Sequence, residues 1–225
     1  YNARIEMLAA AKQTGLNVNK LLEEPTAAAI YYAFEGGLKL NGNYAIYDLG
    51  GSTFDVSIIK AEGIRINMVA SEGVQKLGGE DFDVILQKLV TEKFNDENDE
   101  VIDEQDYTIT DAEEDKKSLT KRENINVRIH RKNVKVTRAE FEEKISSLVM
   151  QTEMVCESIL AEQNLTPSDL EAVFLVGGST RVPLVQQAVE RVFKQKPTQS
   201  VNVDEAVALG ASLYAAFKGD PVSYT

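Results

Sequence analysis

The sequence predicts an α/β fold built on a mixed sheet flanked by helices. Three observations predict it. Stretches with apolar residues every three or four positions alternate with short apolar strand patterns. Two pairs of strand patterns, 44–49 with 54–60 and 125–129 with 134–136, read as antiparallel hairpins, so the sheet is not wholly parallel. Finally, Gly-Gly pairs stand where strands end or helices begin.

The first helix is expected over 2–14, with Ile5, Leu8, Ala9 and Ala11 as its apolar positions and Gly15 as its stop. A short strand is expected over 18–22. Pro25 opens an Ala-rich helix over 26–34, because proline suits a first helical turn. Its Tyr31, Tyr32 and Phe34 read as packing residues. A third strand follows at 64–70, and Gly78-Gly79 precedes a helix over 81–94. Thr137 and Glu140 have capping-box spacing and start a long helix. Its stripe is Phe141, Ile145, Leu148, Thr152, Val155 and Ile159, with Cys156 beside it in the core. A short helix begins at Thr166-Pro167, a buried strand covers 172–176, and 183–196 is an amphipathic helix. Asp204 is expected to cap a last helix over 205–217.

Composition narrows the function. At roughly 150 residues per domain, 225 residues make one large domain or two small ones. With 24 Lys+Arg against 36 Asp+Glu the net charge is −12, which argues against nucleic acid or an anionic membrane as partner. The longest apolar runs, such as 27–34, are far short of the ~20 residues of a membrane span. One Cys and one His exclude an internal disulfide framework, a Cys-based zinc site and a His cluster. The chain does not begin with Met and opens inside a helix, so it reads as a piece of a longer polypeptide. Charge segregates: 96–115 holds 11 acids and no base, and 116–138 holds nine Lys/Arg and one acid. This reads as a solvated subdomain with complementary faces, or as a docking surface for a charged partner. His130 reads as solvated surface.

The tetrapeptide Gly-Gly-Ser-Thr occurs twice, at 50–53 and 177–180, each time straight after an apolar strand. Adjacent glycines let successive N–H groups face one way and form a nest for phosphate oxygens. Gly78-Gly79, before a helix, is expected to offer orphan N–H groups to an anion. Three ordinary tight turns are the alternative. Neither a P-loop nor a G-x-G-x-x-G is present, so phosphate binding needs another architecture. Asp48 and Asp55 bracket the first turn. A carboxylate at the end of an apolar strand is costly unless it holds a cation or hydrogen bonds, and Mg²⁺ reached through water fits Asp48. Glu24, before Pro25, is a helix cap or a water-positioning carboxylate.

Five segments, 24–30, 48–55, 77–83, 175–181 and 204–208 (EPTAAAI, DLGGSTFD, LGGEDFD, LVGGSTR and DEAVA), resemble the Hsp70 (DnaK-like) chaperone family in order and nearly in spacing. The resemblance runs from about Asn2 to Gly219. It implies an actin-like ATPase (ribonuclease H-like) fold: 1–40 and 199–225 in the base of lobe I, 41–77 and 147–198 in the base of lobe II, and 78–146 as an α+β upper subdomain. It implies ATP/ADP and Mg²⁺ as cofactors. Asp48 would lie in the Mg²⁺ water shell, and Glu24 would help position metal and attacking water, with Thr53 and Asp55 beside them. Gly50, Gly51, Ser52 and Thr53 would form a phosphate loop, with Gly78 and Gly79 opposite. Glu113, Lys116 and Thr120 match adenosine contacts, with Lys117 beside the base. Gly177, Gly178, Ser179 and Arg181 would close over ribose and phosphates, with Asp204 nearby. The resemblance also implies a J-domain cochaperone, a nucleotide-exchange factor, unfolded polypeptide clients held by a peptide-binding domain beyond this chain, and a cytoplasmic location.

Departures from the family pattern are Ser52 for a third glycine, where a Cβ is expected to crowd the loop, Lys117 for arginine and Val203 for proline. The family's first phosphate loop and catalytic lysine are missing, so the chain alone is expected to be a poor ATPase. A non-hydrolysing Hsp70-like regulator and another actin-fold ATPase or sugar kinase are the alternatives.

Overall fold

In the computed structural model, residues 2–216 are described apart from 19, 38, 64, 99–100 and 199–201. The positions expected to open the third strand and to end the last helix, and the chain from 217 on, therefore lie outside the described residues. Four strands form the central sheet: β1 (Asn41–Leu49), β2 (Thr53–Glu62), β3 (Arg65–Gln75) and β6 (Leu170–Val176), in the order β3-β2-β1-β6. β1–β2 and β2–β3 are antiparallel and β1–β6 is parallel, so the sheet is mixed, as the hairpin patterns predict. β3 runs five residues past the predicted stretch. Its polar Ser71 hid the continuation, but the Ser71 hydroxyl pairs with that of Ser57 across the ladder at 2.8 Å.

Strand alternation sorts the side chains into two cores. Tyr44, Ile46, Ile59, Ala61, Phe174 and Val176 face α2 (Glu24–Gly36) and α7 (Ala206–Ala216). Ala45, Tyr47, Leu49, Val56, Ile58, Val173 and Leu175 face α5 (Arg138–Glu162) and α6 (Pro183–Phe193). Tyr32 of α2 stacks on Phe174 and donates to the Leu175 carbonyl at 2.6 Å, tying helix to sheet. Small residues let α2 and α7 approach closely: a Cβ on Gly210 would lie 1.8 Å from the Ala27 carbonyl oxygen.

The upper part comprises α3 (Gly79–Asn98), α4 (Ile109–Lys121) and the hairpin β4 (Asn124–Ile129) with β5 (Lys132–Thr137). Its apolar residues, such as Phe82, Leu119, Val127 and Val134, join the α5 core. Both halves of the predicted capping box at Thr137 and Glu140 are made. Cys156 is buried, as expected, but the α5 seam uses Val149 and Cys156 where Leu148 and Val155 were expected; those two flank it, half-buried.

Several local expectations are corrected. Residues 18 and 20–22 form no strand, because a strand needs a neighbour to bond and none lies beside this segment among the described residues. α1 (Asn2–Gln13) does not bury its apolar positions: Ile5 is 54% and Leu8 42% exposed. Phe34 is exposed at the end of α2, whereas Tyr31 and Tyr32 pack as expected. The Thr166-Pro167 helix is a single 3₁₀ turn, Pro167–Asp169. His130, by contrast, is exposed as expected: it sits at the β4–β5 turn with φ +48°, and its Nε2 lies 2.8 Å from Asp106 Oδ1. Across the charge-segregated region, this pair and the contacts of Lys117 with Glu113 and Glu114 join the acidic to the basic stretch.

Candidate nucleotide site

The first Gly-Gly-Ser-Thr turn joins β1 to β2 and closes on itself, with the Gly50 N–H donating to the Thr53 carbonyl at 3.1 Å. The second turn follows β6, the parallel neighbour of β1, so both turns emerge at the same end of the sheet. Gly177 adopts φ +85°, and a Cβ there would lie 2.3 Å from the Leu49 carbonyl oxygen. Its N–H donates to the Val203 carbonyl at 3.0 Å, a contact that a proline at 203 would offer equally. Gly178–Arg181 form a 3₁₀ turn.

The third glycine pair joins the other two. The Gly79 N–H donates to the Gly50 carbonyl at 3.0 Å and the Glu80 N–H to the Gly51 carbonyl at 2.7 Å. Ser179 Oγ donates to that same Gly50 carbonyl at 2.8 Å. This corrects the expectation for Gly78-Gly79. The Gly78 N–H goes to the Asp81 carboxylate, and those of Asp81 and Phe82 go to the Gly78 carbonyl. The start of α3 therefore offers no orphan N–H groups; it welds the turns together. The free groups lie elsewhere. Among the described residues, the backbone N–H groups of Gly51, Ser52, Gly178 and Ser179 have no protein acceptor.

A cavity of about 560 Å³ opens over this junction. One wall carries Gly50, Gly51 and Gly79; a second carries Gly178, Ser179, Arg181 and Asp204; α4 supplies Glu113, Lys116, Lys117 and Thr120. The α4 residues share a face because they recur at three- and four-residue steps. Glu80, Asp83, Lys121 and Val182 also line it and were not singled out from the sequence. Asp83 lies one turn after Gly79 and Lys121 one turn after Lys117, so helical spacing was the signal for both.

Charges on the walls are paired. Lys116 Nζ is 2.7 Å from Asp83 Oδ1 and 2.9 Å from the Gly79 carbonyl. Burial pushes the Asp83 carboxyl up, and the Lys116 ammonium beside it pulls it down. Lys117 lies 2.9 Å from Glu113 and 2.7 Å from Glu114, which together raise its pKa; the Lys117 hydrogen bond lowers that of Glu113. Arg181 donates to Asp204 at 2.7 Å. The Asp204 carboxylate is thus turned to the cavity wall and does not cap the last helix, which begins at Ala206.

The acidic residues occupy a separate hollow of about 360 Å³ on the α2 face of the sheet, lined by Glu24, Asp48, Asp55 and Ser57 among others. Asp48 and Asp55 stand directly opposite on β1 and β2. Burial first, then Glu24 and Asp55, raises the Asp48 pKa to about 7. Burial raises Asp55 as well. Like charges across a ladder repel, so this hollow favours a cation. Among the described residues, no three carboxylates are grouped to hold a metal directly. Glu24 is the first residue of α2, and Glu23 takes the cap position without a side-chain cap bond. Asp48 also lies close to the second glycine turn, since a Cβ on Gly177 would lie 3.0 Å from Asp48 Oδ1. Ser52 and Thr53 are exposed and line neither space. Ser52 is outside the positive-φ residues, so carrying a side chain there puts no left-handed strain on its backbone.

A mixed sheet with glycine nests and opposed carboxylates at its strand ends, helices on both faces and an α+β upper part is an actin-like ATPase fold. The comparisons name the family. The profile described as "Hsp70 protein" matches residues 2–222. The chain is 41% identical over 208 residues to the "Chaperone protein HscA homolog" of Histophilus somni (strain 129Pt), covering 92% of this chain and 33% of that protein. It is 39% identical over 210 residues to the same-named protein of Acinetobacter baumannii (strain AYE), and 39% over 208 residues to "Chaperone protein HscA" of Proteus mirabilis (strain HI4320), with the same coverage. The chain belongs to the Hsp70 family. It spans about a third of the length of these relatives, which carry the name HscA rather than DnaK.

Proposed function

We propose that this chain is the C-terminal portion of the ATP-binding and ATP-hydrolysing domain of an Hsp70-type chaperone, and that its cavity holds the adenosine and phosphates of ATP or ADP. One observation carries the reading. Two glycine turns, fastened through the Gly50 carbonyl, keep N–H groups without acceptors at Gly51 on one wall of the cavity and at Gly178 and Ser179 on the next. Such groups hold phosphate oxygens. Glu113 and Lys116 face the same space and suit ribose hydroxyls, and Lys117 covers the base side. The glutamates holding Lys117 keep its ammonium from stacking freely on a ring, so base binding rests less on it than on an arginine.

The acidic hollow fits Mg²⁺ held through its water shell, because Asp48 is buried beside Glu24 and Asp55, while Arg4, which also lines the hollow, is paired with Glu23. When bound, Mg²⁺ supplies neutralisation of phosphate charge. The chain's own part would be positioning: Asp48 would hold the metal through its water shell, Glu24 would help position metal and attacking water with Asp55 beside it, and Thr53 would belong to the phosphate loop. Residues 1–40 and 199–225 are assigned to the lobe I base, 41–77 and 147–198 to the lobe II base and 78–146 to the upper subdomain. The parent protein would couple hydrolysis to binding and release of unfolded polypeptides, with a J-domain cochaperone and a nucleotide-exchange factor.

The test is a backbone NMR titration of the chain with MgADP, and with GDP as control. Expected are shifts for ADP alone at 51–53, 113–120 and 178–181. Equal shifts with GDP, or shifts confined to other segments, would overturn the adenosine assignment.

A further inference from the structure

Arg181 stands on the cavity wall made by the second glycine turn, and one nitrogen of its guanidinium is held twice. Nη2 donates to Asp204 Oδ2 at 2.7 Å and to Asn202 Oδ1 at 3.1 Å. The Asn202 oxygen has a second donor. It accepts the Asp204 N–H at 3.3 Å, closing the local turn that asparagine forms with the residue two further on. Both partners of Oδ1 are donors, so the oxygen and not the amide nitrogen faces them. The Asn202 carbonyl accepts the Glu205 N–H at 3.2 Å, which leads the chain towards α7. Asn202 thus holds both members of the Arg181–Asp204 pair, one by its side chain and the other by its backbone. Asn202 does not line the cavity.

Charge and direction are divided between the two acceptors. Arg181 and Asp204 are each half exposed. An exposed ion pair alone fixes a long side chain weakly. A second acceptor on the same nitrogen restricts the guanidinium, and a neutral amide oxygen does so without adding negative charge to the wall. The Nε–H and Nη1–H groups have no protein acceptor among the described residues, so they and the flat faces stay available to a ligand. The segment that carries these acceptors is itself fastened to the glycine turn. The Gly177 N–H donates to the Val203 carbonyl at 3.0 Å, and a Cβ on Gly178 would lie 2.8 Å from Asp204 Oδ1.

We infer that Asn202 is a positioning residue for Arg181: it sets the direction in which the guanidinium meets a bound nucleotide, and so the affinity. The effect on nucleotide rests on the function proposed above; the hold on Arg181 does not.

The test is a double-mutant cycle on MgADP affinity, measured by calorimetry on the full chain with Asn202→Ala, Arg181→Met and both together. Losing one contact of a half-exposed charged group is worth about fivefold. Asn202→Ala is expected to weaken MgADP by about that factor, and to weaken it no further once Arg181→Met is present. Asn202→Asp, which keeps an acceptor oxygen in the same place, is expected to restore most of the affinity. Nitrogen NMR of the Arg181 side chain reads the hold directly. Rotation of the guanidinium is expected to quicken in Asn202→Ala and not in Asn202→Asp. Adenosine in place of ADP locates the contact: an equal loss puts it on the nucleoside, a loss for ADP alone puts it on the phosphates, and either supports positioning. Asn202→Ser, which still forms the local turn, is the second variant should Asn202→Ala fail to fold. A loss of equal size with and without the Arg181 side chain would overturn the role, because Asn202 would then act on the fold at large. Unchanged guanidinium rotation in Asn202→Ala would overturn the hold on Arg181. If the wild-type chain binds no MgADP, the functional reading fails, the effect on affinity is overturned with it, and guanidinium rotation alone decides the hold.

Discussion

Lys116 Nζ lies 2.7 Å from Asp83 Oδ1, and its ammonium also donates to the Gly79 carbonyl at 2.9 Å. Two helices are joined at the cavity by this one side chain, and both partners of the ion pair are buried. Breaking a buried pair leaves the survivor desolvated and alone. Lys116→Met is therefore expected to lower stability by about 3 kcal/mol in urea unfolding. Adding Asp83→Leu is expected to recover much of that loss, because the stranded carboxylate goes too. A double variant no better than Lys116→Met would show that the pair is not the source of the loss.

Asp48 makes stability depend on pH even without metal. Its folded pKa is raised to about 7, against about 3.9 for an unfolded aspartate. Between those values the folded state binds more protons than the unfolded one, so stability falls as pH rises from about 4 to about 7. Asparagine does not titrate. In EDTA, Asp48→Asn is expected to be more stable than wild type at pH 8 by on the order of 3 kcal/mol, with the gap closing towards pH 4. A gap of equal size at both pH values would contradict this account of the hollow.

Gly177 combines a left-handed backbone with a neighbour where its Cβ would go, whereas Gly63, at φ +64°, has nothing within 4 Å. Gly63→Ala is expected to cost about 1 kcal/mol, the conformational term alone. Gly177→Ala should cost about 3 kcal/mol, because the turn must also move off the Leu49 carbonyl. Similar losses in thermal unfolding would show that the close approach is relieved cheaply.

Ser52 tests the family departure. Its φ is outside the left-handed region, so Ser52→Gly relieves no such backbone strain and is expected to cost about 0.5 kcal/mol through the freer unfolded chain. MgADP affinity should stay within about twofold, measured by calorimetry; a tenfold gain would show that the Cβ crowds a bound phosphate.

Much of the fold was legible because its signals are local. Alternation in 44–49 and 54–60, capping-box spacing at Thr137 and Glu140, and the Pro25 start all act within a few residues, and each formed its element. The three glycine pairs and the Asp48–Asp55 bracket were likewise visible, since a turn of fixed length sets which residues stand opposite.

What only the tertiary structure decided depends on partners distant in sequence. Residues 18 and 20–22 pair with no strand among the described residues and stayed irregular. The N–H groups at the start of α3 were free by local rules, but the Gly50 and Gly51 carbonyls took two of them. Asp204 had the chemistry of a cap and was claimed by Arg181. Sequence sets what each residue can donate, accept or bury. Packing sets which competing partner arrives, because a hydrogen bond or ion pair goes to the group the fold holds within reach.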